Sequence, residues 1–172
     1  MKHIQTQRLV LAALFLSLAL VLPFLTGQIP DIGSMLCPMH FPILLAGFLC
    51  GPIWGCAVGA AAPLLRSLIF GMPPLFPAAV CMAPELAVYG AVSGVLYLLL
   101  PKRLPWCYVA LLSAMLAGRV VWGIAMLIAL GVGSFGLPAF LAGAFTGALP
   151  GIVLQIVLIP PAVLAARRLL SR

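Results

Sequence analysis

Residues 106–130 read WCYVALLSAMLAGRVVWGIAMLIAL, an unbroken apolar stretch with a single charge, Arg119. As an α-helix rising 1.5 Å per residue it would be about 37 Å long, more than the ~30 Å hydrocarbon layer of a bilayer. Its few polar side chains, Tyr108, Ser113 and Arg119, do not make the water-facing stripe that a soluble helix needs. The solvent for this segment is lipid.

The pattern extends outwards along the chain. Apolar runs cover about 9–25, 53–70, 76–100 and 139–164, with a shorter one at 40–50. Between them lie helix breakers: the Gly- and Pro-containing loop 26–39, Gly51-Pro52, Gly71-Met-Pro-Pro74, Pro101-Lys-Arg-Leu-Pro105, and the break Gly131–Pro138. The 172 residues are 65% hydrophobic and 6% charged, where soluble domains carry roughly 25% charged residues. Mean hydropathy is +1.30. A soluble globular enzyme and a disordered chain are both excluded. The expected fold is all-α, an integral membrane bundle of six transmembrane helices in one domain over 1–172. The 40–50 segment is too short to cross as a straight helix, so it is tilted, re-entrant or lengthened by the preceding loop. Pro160-Pro161 should kink the last span. The run at 9–25 exceeds the usual apolar core of a signal peptide and is read as a retained first span.

Charge sets the expected orientation. With six spans, one side holds Lys2, Arg8, Lys102, Arg103, Arg167, Arg168 and Arg172, and the opposite loops hold no Lys or Arg. The positive-inside rule then makes both termini cytoplasmic. These bases flank apolar runs and serve topology, so the net charge of +7 does not point to nucleic acid. Cys37, Cys50, Cys56, Cys81 and Cys107 contain no CxxC pair and are read as small apolar filler, with no metal site. Glycines recur every four residues at Gly47–Gly59, Gly90–Gly94 and Gly143–Gly151, a spacing that lets lipid-embedded helices approach closely.

Three ionisable residues fall inside spans: Arg66, Glu85 and Arg119. Each costs about 2.5–3.5 kcal/mol at the bilayer centre on insertion scales, so each needs a partner or a polar cavity. Counting along the helices puts all three near the middle or in the outer half, with His40 at the outer start of the second span and Asp31 in the outer loop. One reading is a lock of salt bridges, with Glu85 shared by the two arginines. The other is an outward-facing ligand pocket, in which the arginines favour an anionic or strongly polar ligand. His40 is either a solvated interfacial histidine or a pocket donor. Trp122, one turn from Arg119, is a candidate stacking surface. Tyr89 and Thr146 are weaker pocket candidates, and Gln155 should bond another helix. There is no HExxH, GxSxG or Walker A sequence, so neither catalytic residues nor a nucleotide cofactor are expected.

The stretches Pro38-Met-His-Phe-Pro42 with Leu44-Leu-Ala-Gly47, Pro63-Leu-Leu-Arg66, Gly71-Met-Pro-Pro74, Met82-Ala-Pro-Glu-Leu86 and Gly118-Arg119 occur in this order along almost the whole chain. In these the chain resembles the substrate-binding S components of energy-coupling factor (ECF) vitamin transporters. The resemblance implies a subunit that binds a water-soluble vitamin or precursor from outside. It further implies a partner module of one transmembrane coupling protein and two cytosolic ATPases, in a bacterial or archaeal cell membrane. Ala13-Leu-Phe-Leu-Ser17 stands where the family docks through an Ala-x-x-x-Ala pattern, with Ser17 replacing the second alanine. Fold does not name the ligand; two arginines favour a carboxylate vitamin such as pantothenate. The competing readings are a solitary six-helix carrier or channel for a small anionic solute and, with less motif support, an intramembrane enzyme using His40 or a cysteine with Arg66.

Overall fold

A computed structural model describes residues 2–26, 35–131 and 133–170. These residues are helices joined by turns, with no strand among them. Helix α1 spans Lys2–Val21 and continues as a 3-10 turn over Leu22–Thr26. Helices α2 (His40–Cys50), α3 (Pro52–Phe70), α4 (Val80–Leu99) and α5 (Leu104–Leu130) follow. A short apolar helix α6 (Leu137–Thr146) precedes α7 (Leu149–Leu170). Five segments are long and apolar enough to cross a membrane: Gln5–Leu25, Pro52–Phe70, Leu75–Leu99, Leu104–Leu130 and Leu149–Arg168.

Two expectations change. The single span expected over 139–164 is two elements, because the helix widens to a π-type turn at Ala142–Thr146 and restarts at Leu149 with Pro150 in its first turn. Pro lacks a donor, so it is accommodated at a helix start and not in the ladder before it. Pro160 and Pro161 lie inside the helical segment that follows. The second of six expected spans is α2, whose 11 residues keep it below membrane length. It packs against α1, α3, α4 and α7 and buries His40, Ile43, Leu44, Ala46 and Phe48. Being surrounded by helices, α2 needs neither the length nor the lipid-facing side of a spanning helix.

Contacts between helix ends give the directions. Arg66 near the end of α3 donates to the Leu20 carbonyl near the end of α1, so these two helices run the same way. Helix α2 returns the chain between them, turning at Gly51, whose φ of +96° is open to glycine at little cost. Gly59, Gly55 and Pro52 of α3 meet Leu86, Gly90 and Gly94 of α4 in reverse order, so that pair is antiparallel. At one end of the bundle Arg8 lies within electrostatic reach of Cys50, and Arg167 within reach of Lys102 and Tyr97. Arg8, Lys102 and Arg167, three of the basic residues that sequence reading assigns to one side, therefore gather at one end of the bundle.

The centre of the bundle is held by backbone contact. A Cβ added at Gly90 would stand 2.2 Å from the Gly55 carbonyl oxygen, and one at Gly59 would stand 2.2 Å from that of Leu86. No side chain fits there, so α3 and α4 touch along their glycine faces. This is how helices gain dispersion contact when lipid supplies no hydrophobic drive between them. Around this seam lies the core of Phe15, Ala19, Ile43, Leu44, Leu86, Leu111, Ile159 and Val163. The outward faces are apolar as well, with Ile53, Leu68, Leu99 and Ile128 exposed. An apolar outside fits lipid.

Candidate functional site

Three ionisable groups of the bundle interior meet where α2 begins and where α4 and α5 pack together. Glu85 lies in the second turn of α4, Arg119 in the second half of α5, and His40 opens α2 after the turn Cys37–Met39. Arg119 Nη1 donates to Glu85 Oε1 at 3.0 Å, and His40 Nε2 approaches the same oxygen at 3.5 Å. All three side chains are buried, at 1% exposure for Glu85, 3% for His40 and 7% for Arg119. A guanidinium keeps its charge, so the carboxylate is its counterion. An imidazole nitrogen that carries a proton can donate to that oxygen.

Neighbouring residues hold this network in place. Tyr89, one turn from Glu85, meets the His40 ring edge-to-face at 5.0 Å. Gly118, beside Arg119, leaves room for that phenol: an added Cβ would stand 2.3 Å from the Tyr89 ring. Arg119 Nη2 also reaches Cys37 Sγ at 3.7 Å. Cys37 adopts φ +48°, uncommon for a residue with a side chain. Sequence reading treats Cys37 as filler and misses it here, since nothing local links it to a residue 82 positions on. The Pro38 that follows it, in a turn, is the only available signal.

Arg66 lies apart from this network. Its guanidinium does not join Glu85; it donates to the Leu20 carbonyl and lies 4.8 Å from the Phe24 ring centre and 5.4 Å from that of Phe70. The two rings themselves meet edge-to-face at 5.0 Å. Arg66 thus satisfies an orphan carbonyl at the end of α1 and packs between aromatic faces. In the salt-bridge reading both arginines share Glu85; in the structure Arg119 does and Arg66 does not. Trp122 is half-buried and meets Phe135 and Phe140 at 5.6 and 6.3 Å, which ties α5 to α6. Thr146 is exposed. Asp31 lies outside the described residues. Gln155 is buried, but its Oε1 has no hydrogen-bond partner among the described residues, contrary to the expected helix–helix bond. Ala13 and Ser17 are both on the exposed side of α1, and Ser17 Oγ donates back to the Ala13 carbonyl at 3.0 Å. Among the described residues no group of His, Cys, Asp and Glu is arranged to hold a metal.

The network is a buried ion pair with a histidine, set opposite the basic end of a membrane bundle. No curated protein and no solved structure matches the chain. The family model for the substrate-specific component of ECF transporters matches residues 7–166, which include every helix that frames this network. The chain is a multi-pass membrane protein and belongs to the substrate-specific components of ECF transporters.

Proposed function

We propose that this chain captures a small water-soluble vitamin or vitamin precursor from outside the cell. It delivers that molecule inward while docked to a transmembrane coupling protein and two cytosolic ATPases, in a bacterial or archaeal plasma membrane. The observation that carries this reading is the Glu85–Arg119–His40 network, buried in the half of the bundle opposite Arg8, Lys102 and Arg167. Ionisable groups inside a membrane bundle are costly and are kept where they serve a ligand or ion. With the basic end cytoplasmic by the positive-inside rule, the network faces outward. His40, Glu85 and Arg119 are the proposed contacts, with Trp122, one turn along α5 from Arg119, and Asp31, outside the described residues, as further candidates. A preference for a carboxylate ligand would need two converging arginines, and Arg66 is engaged elsewhere. Pantothenate therefore enters the tests as one compound among several.

Native mass spectrometry of the chain, gently purified from cells in rich medium, should show one bound small molecule per protein. Uptake into liposomes holding this chain alone would instead favour a solitary carrier.

Docking is proposed to use the Ala13 and Ser17 face of α1. Because Ser17 spends its hydroxyl on its own helix, the face offers small size and no outward donor. Ser17→Trp should leave ligand binding within about twofold but abolish co-purification with the coupling protein and ATP-driven uptake. Normal uptake by this variant would remove the docking assignment.

A further inference from the structure

Four buried side-chain polar atoms have no hydrogen-bond partner among the described residues: Arg119 Nε, His40 Nδ1, Gln155 Oε1 and, away from these at the basic end beside Lys102, Tyr97 Oη. Buried polar groups are nearly always paired, and an orphan calls for a missing ligand or water. Arg119, His40 and Gln155 are all more than nine-tenths buried. Two belong to the network above. The third sits on α7, one turn beyond Gly151 on the same helix face. Gly151 abuts the carbonyls of Met35 and Leu36, and α7 packs against both α2 and α5. Gln155 thus lies one turn past the Leu36 contact, on the helix that packs against those carrying His40 and Arg119.

We infer that the captured ligand is an uncharged molecule rich in hydrogen-bond donors, such as an amino- or hydroxyl-bearing heterocycle or a carboxamide, and that Gln155 contacts it directly. This rests on the substrate-capture reading above. Charge decides against an organic anion. The carboxylate of Glu85 already balances Arg119 at 3.0 Å, and Arg66 is held at the end of α1. An anion drawn to Arg119 Nε would stand beside the Glu85 carboxylate in a low-dielectric interior, where like charges repel strongly. The unpartnered atoms ask for something else. Arg119 Nε–H needs an acceptor, Gln155 Oε1 needs a donor, and His40 Nδ1 accepts from a donor when the imidazole carries its one proton on Nε2. A neutral ligand with one acceptor flanked by donors satisfies all three without disturbing the ion pair.

The test uses the full chain in lipid nanodiscs and matched pairs that differ in charge on one skeleton: nicotinamide and nicotinate, pantothenol and pantothenate, riboflavin and its phosphate. The species that co-purifies from rich medium is identified alongside by mass. The retained species should carry no net negative charge. Where a panel skeleton binds, the uncharged member should bind at least tenfold more tightly. Gln155→Leu should weaken binding of the retained species at least tenfold while the thermal midpoint of the empty chain stays or rises, because leucine removes an unpaired buried amide. An anionic retained species, or a panel that prefers the charged members, overturns the inference and leaves substrate capture standing. Unchanged affinity with a lowered midpoint in Gln155→Leu overturns the Gln155 contact. No bound species from the medium and no binding from the panel overturns substrate capture itself, and this inference with it.

Discussion

Glu85→Ala should lower the thermal midpoint of the purified chain by on the order of 10 °C and reduce ligand affinity by a hundredfold or more. The cause is the charge left behind. Arg119 is 7% exposed and bonds Glu85 at 3.0 Å, and its guanidinium cannot shed its proton. Removing one partner of a buried ion pair costs about 3–5 kcal/mol, chiefly through the uncompensated partner. For a chain of this size each kcal/mol moves the midpoint by roughly 2–4 °C. The same change frees His40 Nε2, which faces the same carboxylate oxygen at 3.5 Å. A double-mutant cycle separates charge from packing. Glu85→Ala with Arg119→Ala together should destabilise less than the sum of the single changes, since no orphan charge remains. Strict additivity would mean that the pair is not coupled. Glu85→Gln, which keeps shape and an acceptor, should fold better than Glu85→Ala and still bind poorly.

Gly90→Leu should prevent folding, and Gly90→Ala should cost at least the 1–3 kcal/mol typical of overpacking. The added Cβ would stand 2.2 Å from the Gly55 carbonyl oxygen and 2.3 Å from its carbon, and both atoms are backbone. A flexible side chain could swing aside; a helix axis must be displaced as a whole. Moving α4 away from α3 would also draw Glu85 from its place beside Arg119, so ligand binding should fall with stability. Gly133→Ala is the control, because nothing lies within 4 Å of the added Cβ. Size-exclusion profiles and thermal midpoints of the two alanine variants decide the matter. Equal midpoints would refute the close seam between α3 and α4.

The sequence speaks clearly where physics acts through period and length. Helix α5 is readable because 27 apolar residues with one charge have one good solvent. The Gly47, Gly55, Gly59, Gly90 and Gly94 spacing is readable as close packing, since one missing Cβ per turn leaves a flat strip on a helix. Gly51 shares that spacing and does something different. Its added Cβ meets nothing within 4 Å, and φ of +96° makes it a turn residue. Spacing alone does not separate these two uses of glycine.

The candidate site is legible in part. Glu85, Arg119 and His40 stand out because charge in lipid is costly wherever it occurs, and this cost depends on residue type alone. Which charges pair depends on how helices are rotated and shifted against one another, and that is settled by the packing of whole faces. Counting residues from helix ends puts Arg66 in the outer half of its helix yet cannot turn it away from Glu85. Its place between Phe24 and Phe70 exists only once α1 and α3 run side by side. Cys37 meets Arg119 for the same reason: α2 is a short buried return that brings the turn before it against α5. By itself, then, the sequence determined the solvent, the helices, the clustering of positive charge at one end and the residues too costly to be idle. The tertiary structure decided the partners, because side-chain pairing across helices follows from helix rotations that no periodicity encodes.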